Sequence, residues 1–509
     1  MAANDMEMEI KLVAAVETVW TDLFTLPLIT ETTVNGSVAE KALESHYFDT
    51  QEGGLARMGY AYRIRRTPDG LVATLKAAGH MEGGLAHRPE FETTAPDLKP
   101  DLSVFDGQAV GVDLPALIGE APLGGLFTVD VVRRQRQLQL TPETLVEMAV
   151  DFGRILTEDK ETPVAEVEFE MITGSTADLL QFLAKLTEQL PFYVAFKSKF
   201  RRGTDLLLSV HELEDPSLPI VLKEDKSTDE ALYVLLAEHI GAMLQEQRRF
   251  DEDGSGMETF RRLLRAVQYW LAFAKPMIKQ EEYERYQQQT AQLTTPFETL
   301  YYIEALGADW AELHRAPLPL TGSVAIENHL AEKRRDSIAH ILQEKQSGVY
   351  TRTLFALWSW AATHPWAEQE MAKVSCYARE RLNKWFNDLQ LAVDNKELAA
   401  ADGCTLFRIG HKAVGVAGCL KQVLHLAEDK PYIRLRSMLK RLREIYDDEC
   451  GKPVLQSLVK TGASRLLYRD AGLLAGWRLR AVQDDLPEAQ RRWKRFLAAN
   501  RKHEKRKAR

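Results

Sequence analysis

Polar and apolar residues alternate along the first two-fifths of the chain and recur at helical spacing beyond it. The stretch Glu7-Met8-Glu9-Ile10-Lys11-Leu12 sets the first pattern. In an extended chain successive side chains point to opposite faces, so Glu7, Glu9 and Lys11 share one face and Met8, Ile10 and Leu12 the other. The same alternation predicts strands over 42–49, 60–66, 71–76 and 129–140. It predicts three more through Arg88/Glu90/Glu92, Glu147/Ala149/Asp151 and Glu166/Glu168/Glu170. Residues 14–24 and 176–190 have helical spacing, the second with Thr176 as cap candidate and Pro191 as its stop. Residues 93–125, rich in Pro, Gly and Asp, predict loops and short turns.

At least seven strands at hairpin-like spacing, most with one charged face, favour a closed antiparallel barrel. A charged face on a single strand is usually a solvated sheet surface. Its repetition over five or more strands, with sign segregated by strand, favours an inward charged face instead. Arg63/Arg65, Lys76 and Arg133 are basic; Glu147/Asp151 and Glu166/Glu168/Glu170 are acidic. Closing the sheet sets a basic wall against an acidic wall.

Residues 206–226, with Pro216 and Pro219, read as a linker. The period then changes to 3.6. It predicts helices over 232–250, 257–274, 297–306, 326–343, 351–363, 371–389, 395–402, 406–428, 433–447, 453–460 and 488–507. The expected fold class is therefore α+β: an N-terminal barrel domain over 1–205 with flanking helices, and an all-α bundle over 227–509.

Composition narrows the function. The chain has 509 residues, 45% hydrophobic and 27% charged, which suits soluble domains with sizeable cores. It lacks an apolar run long enough to span a bilayer, and its start lacks a basic and then hydrophobic leader, so no membrane association and a cytoplasmic location are expected. Four cysteines (Cys376, Cys404, Cys419, Cys450) lie far apart without a CxxC pair and read as free thiols. Residues 1–205 hold 19 Lys+Arg and 32 Asp+Glu, a net of −13; the remainder holds 46 and 42, a net of +4, which together return the chain's −9. An acidic barrel with focused bases points to a metal-loaded polyanion site rather than a nucleic-acid surface. Arg63, Arg65, Lys76, Arg133 and Lys199 would meet phosphoryl oxygens, and Lys11 would offset the carboxylates beside it. Glu7, Glu9, Asp151, Glu166 and Glu168 suit a hard dication, with one carboxylate left to orient water. Arg66, Arg134, Arg136 and Arg201 read as surface or salt-bridge residues, Tyr47 and Tyr62 as core. Zinc-type Cys/His spacing, a P-loop, GxSxG and a Rossmann fingerprint are all absent from the sequence.

An ordered set of motifs carries a resemblance. It runs from Glu7-x-Glu9-x-Lys11 through Arg63-x-Arg65, Thr74-x-Lys76, Gly83-Gly84-Leu85 and Arg88-Pro89-Glu90 to Arg133. It continues with Glu147–Asp151, Glu166-x-Glu168-x-Glu170 and Ser198-Lys199-x-x-Arg202-Gly203. Across residues 6–205 this resembles the CYTH domain of the triphosphate tunnel metalloenzymes. The resemblance implies an eight-stranded antiparallel barrel whose tunnel binds a triphosphate with Mg²⁺, or Mn²⁺ as the alternative. It implies phosphate contacts from Lys11, Arg63, Arg65, Lys76, Arg88, Arg133, Lys199 and Arg202. It implies metal or water contacts from Glu7, Glu9, Asp151, Glu166 and Glu168, and catalytic roles for Glu7, Glu9, Lys11, Glu90 and Glu168. Gln135 departs from the pattern, where close relatives carry Lys.

The helical half resembles a CHAD domain through Arg261-Arg262-x-x-Arg265 and Arg434-x-Arg436-x-x-x-Lys440-Arg441-x-Arg443, although Met257 stands near the place of the usual His. That implies long-chain polyphosphate as a partner of Arg261, Arg265, Arg436, Lys440 and Arg443. The tandem order resembles bacterial inorganic triphosphatases, which cleave tripolyphosphate to pyrophosphate and phosphate. Three alternatives stay open: a nucleoside or thiamine triphosphatase, an adenylate cyclase of the class IV type, and a non-catalytic polyphosphate binder.

Overall fold

The structure is a computed structural model. It describes residues 6–106, 110, 118–119, 121–208, 226–315, 324–366, 373–393, 403–420, 433–434, 436–437 and 465–507. The chain divides into two compact units. The first comprises residues 1–216 together with 240–248 and 344–363; the second comprises the rest.

Ten strands build the first unit: β1 (Met6–Ala14), β2 (Ala39–Thr50), β3 (Ala61–Thr67), β4 (Gly70–Lys76), β5 (His80–Glu82), β6 (Leu85–Thr94), β7 (Leu123–Gln139), β8 (Leu145–Leu156), β9 (Glu161–Thr173) and β10 (Phe192–Val194). Their order is β10-β1-β9-β8-β7-β2-β3-β4-β6-β5, and β1 also pairs with β6. That extra pairing closes eight antiparallel strands into a ring, with β10 and β5 appended. Closure removes the exposed edges that an open sheet of this length would present. The α+β expectation is met.

Register explains why charge collects inside. Lys11 lies opposite Glu168 and Glu9 opposite Glu170. Arg133 pairs with Asp151, Asp151 with Glu166, and Lys76 with Glu90. Paired residues share a face, so the period of two carries one charged row around the ring. The opposite face is apolar: Ile10, Leu12, Val150, Val167 and Phe169 are fully buried on the barrel's outer side. The helices α1 (Val19–Leu23), α2 (Pro27–Thr30), α3 (Gly54–Arg57) and α4 (Thr176–Gln189) accompany the strands and bury Val19, Leu23, Ile29, Leu55 and Leu183; Phe182 of α4 meets Phe169 edge-on, and α3 packs on β2 and β3. The cap of α4 is Ser175, not Thr176: its Oγ accepts from the Asp178 N–H at 3.2 Å. A cap needs an extended backbone, and Ser175 has φ −116° and ψ 142°. Helix α5 (Lys199–Leu208) follows β10.

The remaining described helices are α6 (Thr228–Glu246), α7 (Met257–Ala274), α8 (Gln280–Arg315), α9 (Ala325–Gln346), α10 (Val349–Ala362), α11 (Val374–Val393), α12 (Gly403–Cys419) and α13 (Arg465–Lys507). Two of them overturn the expected starts at 297 and 488. Pro296 lies inside α8 and Pro487 inside α13, and both helices continue through. Proline removes one backbone bond, but burial of Leu293, Phe297 and Leu300 on the same helix holds α8 together across the gap. Within the second unit, Phe250, Phe260 and Phe297 pack edge-on or tilted, with centroids 5.0 to 5.6 Å apart. The expected helices over 395–402 and 453–460, and most of the 206–226 linker, lie outside the described residues.

Two stretches of the helical sequence belong with the barrel. Helix α10 packs along α4. It buries Tyr350, Leu354, Phe355, Leu357 and Trp358. The Tyr193 hydroxyl donates to the Lys345 carbonyl at 3.1 Å, and Arg248 donates to the Val194 carbonyl at 3.2 Å.

Candidate active site

The barrel encloses a cavity of about 440 Å³, lined chiefly by charged side chains. Lys11, Arg63, Arg65, Lys76, Arg88, Arg133 and Lys199 line it against Glu7, Glu90, Glu92, Glu147, Glu168 and Glu170. Two carboxylate groupings emerge.

In the first, Asp151, Glu166 and Glu168 bring oxygens within 4.8 Å of one another. Lys199 Nζ sits among them, 2.7 Å from Asp151, 2.6 Å from Glu166 and 2.9 Å from Glu168. Arg133 donates two bonds to Asp151 and one to Glu168, each 2.7 Å. Burial by itself would raise the Glu168 carboxyl; Lys11, Lys199 and Arg133 overcome it and hold that group well below the usual carboxylate range. Asp151 is lowered in the same way, against burial, by Lys199 and Arg133. Burial opposes the charge on Lys199, but its three carboxylates raise its pKa nonetheless. Three converging hard oxygens fit a divalent ion such as Mg²⁺ or Mn²⁺. The same oxygens already converge on the Lys199 ammonium, so this donor set is built to focus on a cation.

In the second grouping, Glu7 and Glu9 are held apart from that cluster. Lys76 Nζ donates to both Glu7 oxygens at 2.7 and 2.8 Å and reaches Glu90 at 3.0 Å. Arg88 bonds Glu7 at 3.0 Å and also Glu9. Lys11 reaches Glu9 at 2.5 Å and Glu168 at 2.9 Å, and so joins the two groupings. The structure thus divides the five expected metal carboxylates three and two. It also corrects the basic and acidic walls: β6 and β1 carry both signs, because Arg88 lies opposite Glu7.

Arg65 stands apart from the other cavity cations. Its Nε donates to the Ser45 hydroxyl at 3.1 Å, and among the described residues no carboxylate lies within ion-pair distance of it. Burial first, then the charges of Arg63 and Arg133, pull its pKa down to about 10. Glu170 is the acidic counterpart: burial, reinforced by Glu7, Glu90 and Glu9, pushes it up to about 7.

Two placements, Arg202 and Tyr47, differ from expectation. Arg202 does not line the cavity; its guanidinium goes to Glu166 at 2.9 Å and to the Pro163 carbonyl, so it orients a carboxylate from behind. Tyr47 is buried as expected, but it lines the cavity and its hydroxyl accepts from Arg63 at 3.4 Å. Against burial, Arg63 lowers the pKa of that phenol. Tyr62 is core, packed on Phe48 and Phe105. Glu92, Glu147 and Glu170 were absent from the expected site, although the alternation had put each on a charged face. Arg66, Arg134 and Arg201 make surface ion pairs with Glu44, Glu40 and Asp205, and Arg136 lies over the Phe24 ring.

In the second unit Arg261 and Arg265 do come together, but around carboxylates. Arg261, 3% exposed, donates to Glu258 at 2.7 and 2.8 Å and to Glu298 at 3.1 Å, with its guanidinium 4.1 Å over the Tyr301 ring. Arg265 forks onto Glu298 at 2.6 Å twice. Arg436 is exposed. Lys440 and Arg443 lie outside the described residues. Cys376 is a free, exposed thiol.

A closed antiparallel barrel with paired charges turned inward defines the class. Residues 5–204 match the CYTH domain and residues 234–414 the CHAD domain. The chain carries a CYTH domain followed by a CHAD domain, as the motifs implied. A curated relative, the inorganic triphosphatase of Haemophilus influenzae, is 29% identical over 162 residues, which are 32% of this chain and 45% of that protein. The chain thus spans less than half of that relative's length. Among solved structures, the CHAD domain of the plant Ricinus communis covers 54% of this chain and 96% of its own (15% identity, TM-score 0.40). A Hippeastrum protein with a dominant triphosphatase activity covers 39% and 95% (18% identity, TM-score 0.31). These superpositions are loose and bear on nothing beyond general likeness. None of the helices is long and apolar enough to cross a membrane among the described residues.

Proposed function

We propose that the barrel hydrolyses inorganic tripolyphosphate to pyrophosphate and phosphate with the help of a divalent metal ion. The observation that carries this reading is the buried cavity in which Arg65 lacks a carboxylate while its neighbours Arg63, Arg133 and Lys199 crowd the same space. A buried cation without a counter-ion is costly unless an anion completes it. Phosphoanhydride hydrolysis needs positioning and charge neutralisation above all.

A bound Mg²⁺ or Mn²⁺ would be held by Asp151, Glu166 and Glu168 and would neutralise phosphoryl charge. The protein's own groups do the rest. Arg63, Arg65, Arg133 and Lys199 grip phosphoryl oxygens. Lys11 links Glu9 to Glu168, Lys76 and Arg88 fix Glu7 in place, and Arg88 also holds Glu9. Glu7, Glu9, Glu90 and Glu168 supply the carboxylates from which the attacking water takes its orientation.

The test is phosphate release from tripolyphosphate, ATP and thiamine triphosphate by the full chain, with Mg²⁺, with Mn²⁺ and with EDTA. Metal-dependent release that is fastest from tripolyphosphate supports the proposal, and Glu168→Gln should abolish it. Turnover of none of the three sinks it; a marked preference for an organic triphosphate would replace the substrate.

A further inference from the structure

The turn between β5 and β6 is buried. Glu82 and Leu85 lie opposite each other in register, so Gly83 and Gly84 form a two-residue loop. Two-residue hairpin turns take positive φ at their first position, and Gly83 has φ 60°. Connecting loops ordinarily run over the surface, yet Gly83, Gly84 and Leu85 are all buried here. They are the Gly83-Gly84-Leu85 motif of the sequence, to which the chemistry of the cavity gives no role.

Four elements enclose this turn. A Cβ on Gly84 would lie 3.2 Å from Val194 of β10 and 3.6 Å from Ile10 of β1 and from Trp358 of α10. On the remaining side the backbone of Gly83 meets Gly241 of α6, where a Cβ would come within 2.4 Å of the Gly83 carbonyl oxygen. Glycine inside a helix is destabilising relative to alanine, and Gly241 is buried in the interior of α6. The close approach of two backbones explains the missing side chain. Residues 241 and 358 both belong to the barrel's compact unit.

The turn leads directly into the seam that closes the ring. Strand β6 pairs with β1 from Ala86, opposite Glu9, to Pro89, opposite Met6, and Arg88 lies opposite Glu7. Arg88 is three residues beyond Leu85, about 10 Å along an extended strand. Its guanidinium donates to Glu7 at 3.0 Å and also bonds Glu9. A displacement of the turn is therefore carried along one strand to the group that fixes both carboxylates.

We infer that Gly241 and Trp358 are positioning residues, which clamp the β5–β6 turn and thereby hold Arg88 on Glu7 and Glu9. The consequence for turnover rests on the triphosphatase reading above. Neither residue lines the charged cavity, so both act through β6 and not on the substrate.

Gly241→Ala in the full chain tests this. Restoring an ordinary contact of about 3.5 Å to the Gly83 carbonyl displaces the turn by roughly 1 Å. The expected result is a fall in kcat on tripolyphosphate of about 10- to 100-fold with KM within about three-fold, since only the carboxylates move. Amide hydrogen exchange over residues 79–90, read by mass spectrometry, should speed up at least about ten-fold. In an Arg88→Ala background Gly241→Ala should cost less than about two-fold more, because the route is already cut. Gly307→Ala is the same change in α8 at a position where a Cβ meets nothing within 4 Å, and it should move none of these readouts. If Gly241→Ala does not fold, Trp358→Phe, which opens a gap beside Gly84, takes its place, with a loss in kcat of about 3- to 10-fold that Arg88→Ala suppresses. Unchanged exchange over 79–90 overturns the clamp, and an unchanged kcat or a full further loss in the Arg88→Ala background overturns the route through Arg88. If the wild type hydrolyses no triphosphate, the catalytic reading falls while the exchange measurement still decides the clamp.

Discussion

At the scale of single residues, Arg65 and Glu298 show opposite uses of charge. Arg65 is a half-buried cation that bonds a hydroxyl and pairs with no carboxylate among the described residues, so its removal relieves a partly desolvated charge while deleting a phosphate contact. Arg65→Ala is expected to weaken tripolyphosphate binding by about 10- to 100-fold, the scale of a charge-assisted hydrogen bond, without lowering the melting temperature. Kinetics and calorimetry on one preparation check both halves. Glu298 satisfies two arginines at once, one of them almost wholly buried. Glu298→Ala should cost about 3 kcal/mol, because it strands Arg265 and removes one of the three bonds of Arg261, which keeps Glu258; urea unfolding of the full chain reads the loss. His239 adds a pH dependence. Burial lowers its pKa, and its ring lies 2.6 Å from the Leu235 carbonyl. A histidine kept neutral by the fold contributes stability that is fully present above the unfolded value of about 6.5 and is lost as pH falls below it. The full chain should therefore lose melting temperature between about pH 7 and pH 5, and His239→Gln should flatten that slope.

At the scale of elements, each strand owes its place to a period of two, and each helix to one buried stripe. Where local preference and packing disagree, packing decides. Pro296 should end a helix, and α8 runs through it because Leu293, Phe297 and Leu300 are buried on either side. Pro296→Ala restores the missing backbone donor, so a gain of about 1 kcal/mol or more is expected in urea unfolding. A loss would mean that the proline is itself packed to advantage. Helix α5 shows packing deciding a local conformation. It is short, and Gly203 would weaken it in isolation, yet that glycine is what lets Phe127 close on it.

At the scale of the molecule, the barrel's compact unit takes in residues 240–248 and 344–363. Helix α10 packs along α4 and buries two tryptophans, a tyrosine, a phenylalanine and two leucines. A truncation ending at 226 leaves that face of α4 in water. Such a fragment should aggregate or bind a hydrophobic dye strongly, whereas the full chain should not. A fragment that stays monomeric with an unchanged melting temperature would contradict this. Removing the helical half is thus a poor way to assign its role, and point substitutions in Arg261 or Arg265 are better.

Much of the site was legible in the sequence because strand geometry is local. Alternation alone put Glu7, Glu9, Lys11, Arg63, Arg65, Arg133, Asp151, Glu166 and Glu168 on charged faces, and the order of motifs implied the barrel. That parity also held for Glu92, Glu147 and Glu170, which went unselected because a shared face does not tell which residues look into one cavity. What only the tertiary structure decided was pairing across the ring and what fills its interior. Ring closure through β1 and β6 set Arg88 on Glu7 and Glu9, and pairing across the sheet gave Arg65 the Ser45 hydroxyl as its hydrogen-bond partner and gathered three carboxylates on Lys199. The packing of α5 set Phe200 and Leu206 against Phe127 in the barrel's apolar cluster. Each of these depends on contacts between residues tens to more than a hundred positions apart, and on strand shear and helix docking, which no local period encodes.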